Sequence, residues 1–391
     1  IVFVVFRLVE PVGGPAPTGT PPVASPGSAS SGSPRNRPSA TRSPAAGPRV
    51  APVTFDSVSF IDARDGWAAG GAGRSAPELL VSRTSDGGRT WSAGVAVAPR
   101  PPDPSQVAVR FASLTQGWVS ALGLFSTTDG GATWHSAGQA GWVGPVVVTG
   151  ATAWALQYPC GPGEQCTPRL LTSPLGSVTW VPAARQPALP AGPATLVSAG
   201  GSVAFIAGSS TGGAVLLKTT DGGATWAVPP NPCPASLTGA TLATLDGTRV
   251  WVACTGRSQD EAQDKALYVS ADGGDSWKLA ASTGGNGPPA VGSLGSAGAV
   301  LGLTLSGPSS GFLVLAGYGV VRSTDGGVSW NATSVSAKAI PTGNNVLMAT
   351  FSGASDGWAA TCCGGGVPYG SPGLYGTTDG GATWSAVAVS P

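Results

Sequence analysis

The sequence predicts an all-β chain built from one four-stranded unit repeated seven times. Three observations predict it. A string of the type TTDGGATW recurs at near-regular spacing, a second string with an aromatic followed by small apolar residues precedes each copy, and the composition opposes helices. Of 391 residues, 61 are Gly and 36 are Pro, while only 10% are charged. Gly and Pro are the residues least tolerated inside helices, which excludes a helical bundle.

The first string reads TSDGGRTW at 84–91, then TTDGGATW at 127–134 and again at 219–226. It continues as SADGGDSW at 270–277, STDGGVSW at 323–330 and TTDGGATW at 377–384. A damaged copy, SPLGSVTW at 173–180, has Leu175 in the Asp position. The seven closing residues are Trp91, Trp134, Trp180, Trp226, Trp277, Trp330 and Trp384, spaced by 43, 46, 46, 51, 53 and 54 residues. The second string is DGWAAG at 65–70, QGWVSA at 116–121, TAWAL at 152–156 and VAFIAG at 203–208. It returns as VWVAC at 250–254, GFLVLAG at 311–317 and DGWAAT at 356–361. Together the two strings contain twelve of the thirteen Trp residues and leave only Trp142 outside.

Each unit reads as strands a to d. Strand a alternates, as from 53 to 60; strand b holds the aromatic and small residues; strand c is the two or three residues before the box; strand d follows the Trp. Four-stranded units repeating every 40 to 55 residues describe β-propeller blades, so residues 50–391 are expected to form a seven-bladed β-propeller. Blade 7 reads as ending in its own strand d at 385–389. A shared closing strand would have to draw on residues near 50–52.

The start of the chain has a different character. Residues 1–10, IVFVVFRLVE, are expected to be the remnant of a signal peptide or membrane anchor, too short themselves to cross a bilayer. Residues 11–49 are rich in Pro, Gly, Ser and Ala without an aromatic, and read as a disordered stalk. The first 50 residues hold five Arg and one Glu, net +4, which leaves −3 for the rest of a chain of net charge +1. That balance gives no field for nucleic acid. Arg outnumbers Lys by 16 to 4, which with the Ala, Gly and Pro usage reads as a GC-rich bacterial gene.

The box chemistry is that of a turn. Asp before two Gly is a tight-turn sequence, its carboxylate accepts N–H groups of its own turn, and the Trp packs between sheets. Asp86, Asp129, Asp221, Asp272, Asp325 and Asp379 are therefore expected to be structural. One carboxylate per box is too few for a calcium site. These residues resemble the Asp-box, or bacterial neuraminidase repeat, S/T-x-D-x-G-x-T-W. With the F-x-D and G-W-A-x-G strings, the chain most resembles the photosystem II stability/assembly-factor-like propellers, and more distantly sialidases, xyloglucanase-type glycosidases and sortilin. The resemblance implies boxes on the c–d turns, away from the ligand face, and no particular activity. The sialidase pattern is not met. Its F/Y-R-I-P motif has only Phe6, Arg7, Leu8 and Val9 as a near match, in the leader, and no Tyr–Glu pair can be assigned among five Tyr and four Glu.

A functional site is expected on the face of the b–c and d–a loops. The b–c connections of blades 2 and 6 are minimal, whereas blades 3, 5 and 7 carry long ones at 157–169, 254–266 and 361–373. Long loops on a rigid scaffold are where binding groups lie. The candidates for ligand binding are Tyr158, Glu164, Arg169, Arg257, Asp260, Glu261 and Tyr369. A glycosidase would need two carboxylates across a sugar, and the three acids Asp260, Glu261 and Asp264 share one loop.

The six Cys are expected on this same loop face or its edge. Cys160 with Cys166 and Cys233 with Cys254 are expected to form disulfides, while Cys362 and Cys363 could form a vicinal bond or stay reduced. Zinc would call for C-x2-C or His ligands, and the only His is His135. The three G-x-S-x-G strings have no His base within reach, GGAGRSA at 70–76 precedes no helix, and the sequon at Asn331 is discounted in a bacterial chain.

The sequence thus points to a monomeric, extracytoplasmic propeller without cofactor or metal, acting as a non-enzymatic binding or assembly scaffold for a protein or glycan partner in the cell envelope, with an N-terminal membrane tether. A glycan-active enzyme or lectin is the alternative, and a photosystem II assembly factor a further one.

Overall fold

The computed structural model describes residues 54–72, 76–160, 166–189, 191–210, 212–259, 262–336, 345–362 and 373–388. The expected anchor remnant and stalk at 1–49 lie outside them.

Seven antiparallel sheets follow one another along the chain as the blades of a β-propeller, each with its strands paired in sequence order. Blade 1 sets the pattern with Ser57–Phe60, Gly66–Gly70, Glu78–Thr84 and Val95–Pro99 as strands a to d. Strand c of blade 1 has seven residues rather than the two or three expected, and runs through to the box threonine as its last rung. The inner strands of blades 2 to 7 are Ala108–Phe111, Val147–Thr149, Ala194–Ser198, Gly239–Thr244, Val300–Gly307 and Asn345–Phe351. Two blades depart from the pattern. In blade 3 strand a is interrupted, so that Trp142–Val143 pairs separately with strand b. In blade 4 strand d is reduced to the bridge between Lys218 and Ala227.

The boxes form the c–d turns. In blade 1, Thr84 Oγ1 donates to Asp86 Oδ1 (2.8 Å) and accepts from Gly88 N (3.0 Å). Asp86 in turn accepts from the amides of Arg89 and Thr90 and from the Thr90 hydroxyl, at 2.6 to 2.9 Å. Gly87 and Gly88 take φ of 78° and 94°, a region open to Gly without strain. The same net recurs around Asp129, Asp221, Asp272, Asp325 and Asp379. Where blade 3 has Leu175 instead of Asp, substitutes appear. Ser177 Oγ accepts from Thr179 N, and Gln116 of blade 2 accepts from Gly176 N through its side-chain oxygen.

The apolar core is divided among the junctions between blades, one buried cluster at each of the seven. The b-strand aromatic is the recurring insert. Trp67 of blade 1 stacks on Phe111 of blade 2 at 3.7 Å, and its Nε1 donates to Gly130 O in that blade's box. The Gly before the aromatic has a steric reason. Phe111 lies flat across Gly117, its partner on strand b, where an added Cβ would come within 2.4 Å of the ring.

The ring closes by this same junction. Phe60 stacks on Trp358 of blade 7 at 3.7 Å, and Trp358 Nε1 donates to Gly87 O. The single methionine of the chain, Met348, accepts from Val58 N and Ser57 Oγ through its sulfur. Blade 7 supplies all four of its strands from the C-terminal end, and blade 1 all of its own. Among the described residues no strand is shared.

Candidate functional site

The b–c and d–a connections share one face, opposite the boxes. Blade 2 turns from strand b to strand c through Leu122 alone, and blade 6 through 316–318. On blade 5 the expected long loop is a strand pair instead. Strand b runs Val250–Gln259 and strand c Ala262–Ser270, so the blade rises above the face as a hairpin with a bulge between Thr255 and Ser258. Strand b is exposed from Arg257 to Gln259, while Gln263 and Lys265 of strand c are buried, so the hairpin turns one strand end to solvent and packs the other against the neighbouring loop.

Two long connections brace this hairpin. The loop at 283–299 between blades 5 and 6 bridges from Ala297 to Ala262. Lys265 fastens it, its Nζ donating to the carbonyls of Gly295, Ser296 and Ala297 (3.2, 2.6 and 3.2 Å) and of Gln263 (3.2 Å). Burial pushes the Lys265 ammonium down to about 8, against the pull of Asp264. On the other side, the loop entering blade 5 is held by the disulfide between Cys233 and Cys254, the latter fully buried.

Between hairpin and loops lies a cavity of about 410 Å³, lined among others by Ser236, Thr238, Arg257, Gln263, Asp264 and Asn286. Asp264 Oδ2 accepts from Asn286 N and Nδ2 at 3.0 and 2.9 Å. Gly285 is required beneath it, since a Cβ there would meet Asp264 Oδ1 at 2.2 Å. The sequence marks Arg257 but not Ser236, Thr238 and Asn286, because d–a connections rich in Gly and Pro carry no signal of where their polar side chains converge.

Blade 3 contributes differently. Its b–c loop carries the expected disulfide between Cys160 and Cys166, and Arg169 stands exposed at the start of strand c. Tyr158 is a correction to the expected binding set. It is buried, its hydroxyl donates to Ala194 O (3.1 Å) and accepts from Ala194 N (2.9 Å), and burial pushes its pKa up to about 12. Its ring packs on Trp142 at 4.7 Å, which accounts for the one Trp outside the repeats. Both side chains tie blade 3 to its neighbours.

Glu164, Asp260, Glu261 and Tyr369 lie outside the described residues, as does the question of Cys362 and Cys363. Two described acids of this face have other employment. Asp103 caps the short 3-10 turn Pro104–Gln106, and Asp264 holds Asn286. Among the described residues no cluster of His, Cys, Asp or Glu could hold a metal ion.

No family model matches the chain, and no curated protein matches it. Among solved structures it is similar to YCF48 bound to a D1 peptide, at 17% identity and a TM-score of 0.53 over 85% of this chain and 94% of that one. It is also similar to YCF48 from Cyanidioschyzon merolae, at 17% identity and a TM-score of 0.50 over 81% and 94%. The GH74 enzyme of Niastella koreensis matches at 13% identity and a TM-score of 0.30 over 85% and 78%. At these identities the likeness to the YCF48 structures speaks for the fold, a seven-bladed β-propeller.

Proposed function

We propose that the chain is a non-enzymatic binding scaffold whose b–c and d–a loop face takes an extended segment of a partner protein. The observation that carries this reading is the blade 5 cavity. Its walls combine hydroxyl, amide, carboxylate and guanidinium groups, the donors and acceptors that match the N–H and C=O groups of an extended backbone. Among the described residues they include no aromatic ring on which a sugar face could lie. One similar structure, YCF48, holds a D1 peptide, so a propeller of this form binds a peptide in that protein. Two disulfides suit an oxidising compartment, which supports an extracytoplasmic site of action with residues 1–49 as tether.

Probing the full chain against arrays of random octapeptides and of glycans tests the reading. A defined subset of peptides should bind, with affinity lowered at least fivefold by Arg257→Ala and by Asn286→Ala. Binding to glycans alone, or peptide binding unchanged in both variants, would overturn it.

A further inference from the structure

The seven inner strands enclose a second cavity, of about 310 Å³, on the propeller axis. Strand register defines a ring of equivalent positions there, one per blade, each paired with that blade's b-strand aromatic. The ring reads Ser59 opposite Trp67, Arg110 opposite Trp118, Val147 opposite Trp154 and Val197 opposite Phe205. It continues with Ala243 opposite Trp251, Thr304 opposite Phe312 and Thr350 opposite Trp358. All seven line the axial cavity.

This ring has two halves. Blades 6, 7 and 1 present Thr304, Thr350 and Ser59, with Arg110 of blade 2 at the end of the run. Blades 3, 4 and 5 present Val147, Val197 and Ala243. Arg110 is the one charged side chain lining the cavity among the described residues. It is walled in by protein, yet its surface stays open to solvent within the channel. No described residue forms a hydrogen bond or ion pair with it, whereas Arg100, on the same propeller, grips buried Asp56 with both arms. A solvent-open guanidinium with no partner among the described residues keeps its planar fork free for an anion delivered from solution. Ser59 Oγ accepts from Phe111 N and keeps its own hydrogen to donate. The Thr304 and Thr350 hydroxyls have no partner among the described residues.

We infer that the axial cavity binds a small organic monocarboxylate, its carboxylate on Arg110 and the neighbouring hydroxyls and its hydrocarbon part against Val147, Val197 and Ala243. A carboxylate matches the planar fork of one guanidinium. A phosphate dianion would call for more positive charge than one Arg supplies, and an inorganic monoanion would leave the apolar half unused. The volume suits a ligand of a few carbon atoms up to one ring. This site is separate from the blade 5 cavity and stands or falls independently of it.

Ligand-detected NMR on the full chain, with acetate, butyrate and benzoate as probes, provides the test. Butyrate and benzoate should bind more tightly than acetate, and neutral butyramide at least tenfold more weakly than butyrate. Arg110→Gln should weaken butyrate at least tenfold while leaving the thermal midpoint unchanged, because the exposed guanidinium makes no hydrogen bond or ion pair with a described residue. Thr350→Val, which keeps the guanidinium, should weaken it about threefold. An N-acetylated dipeptide ending in Val, as acid and as amide, separates the two sources of a carboxylate. Binding of the acid form only, lost in Arg110→Gln, assigns the site to a chain end; binding of butyrate without the dipeptide assigns it to a free acid. No binding of any carboxylate at millimolar concentration, butyramide equal to butyrate, preference for inorganic phosphate, or full affinity in Arg110→Gln would each overturn the inference.

Discussion

The rings of Phe60 and Trp358 lie 3.7 Å apart and within 3° of parallel, joining the first strand of the propeller to its last blade. Phe60 also covers Gly66, its partner on strand b, so one ring is clamped between its own blade and the preceding one. Trp67 and Phe111 make the same arrangement within 4° at the next junction.

The closing junction should therefore be as strong as an internal one. Trp358→Ala is expected to cost about 3–5 kcal/mol, and Trp67→Ala a similar amount, by loss of a buried indole. A double-mutant cycle between Phe60→Leu and Trp358→Leu should return a coupling of about 0.5–1.5 kcal/mol in denaturant unfolding. A far smaller loss for Trp358→Ala than for Trp67→Ala would mean that blades 7 and 1 separate freely.

Arg100 and Asp56 staple the end of blade 1 to its beginning. The guanidinium meets the carboxylate at 2.8 Å through Nε and at 2.7 Å through its terminal nitrogen, and the Asp56 side chain has no exposed surface. Burial raises the Asp56 pKa, and Arg100 opposes the rise. Arg100→Leu strands a buried carboxyl and should lower stability by about 3–5 kcal/mol. Arg100→Lys should recover only part of this, since an ammonium cannot make both contacts. Equal stability of the wild type and Arg100→Leu in urea would contradict this account.

The boxes make the fold acid-sensitive. The Thr133 hydroxyl and amide hold the Asp129 carboxyl at about 2, and Thr225 does the same for Asp221, against an ordinary value of 3.8. A folded pKa below the unfolded one means that the unfolded chain takes up protons first as pH falls. The contribution of these carboxylates is full above about pH 4 and is lost as pH falls towards 2. The thermal midpoint should drop steeply through that window. Asp129→Asn should lower it at pH 7 and flatten part of the drop, and a midpoint constant from pH 5 to 2 would show that the boxes add nothing.

Lys265 acts on one loop rather than on the whole ring. In Lys265→Met the carbonyls of Gly295, Ser296 and Ala297 lose their shared donor, so hydrogen exchange should quicken at 283–299 and not in the blade 1 strands. The folded lysine releases its proton at about 8 and the unfolded one at 10.5, so the unfolded state holds more protons between them. Stability should rise with pH across that interval in the wild type and not in Lys265→Met. A loop exchanging at the same rate in both proteins would remove Lys265 from this role.

Blade number, box positions and the two disulfide partners were legible in the sequence because each is a local or periodic property. The box needs only eight consecutive residues to satisfy its own turn, and strand pairing within a blade involves near neighbours in the chain. The polar wall of the blade 5 cavity was not legible in this way. Ser236, Thr238, Arg257 and Asn286 come from two separate connections and a hairpin, and what brings them together is the curvature of the blades and the Lys265 anchor. Tyr158 shows the same limit from the other side. Its place in the b–c loop expected at 157–169 suggested exposure. It is instead the last residue of strand b, and the packing of blade 4 against blade 3 puts its hydroxyl on Ala194.

By itself the sequence determined the unit, its number of copies and the face on which loops could vary, since hydrogen-bonded turns and alternating strands are set over short spans. Only the tertiary structure decided how the ring closes and which side chains look into the axis. Seven inner strands must converge before Ser59, Arg110, Thr304 and Thr350 can share one cavity, because convergence depends on the twist and packing of every blade at once.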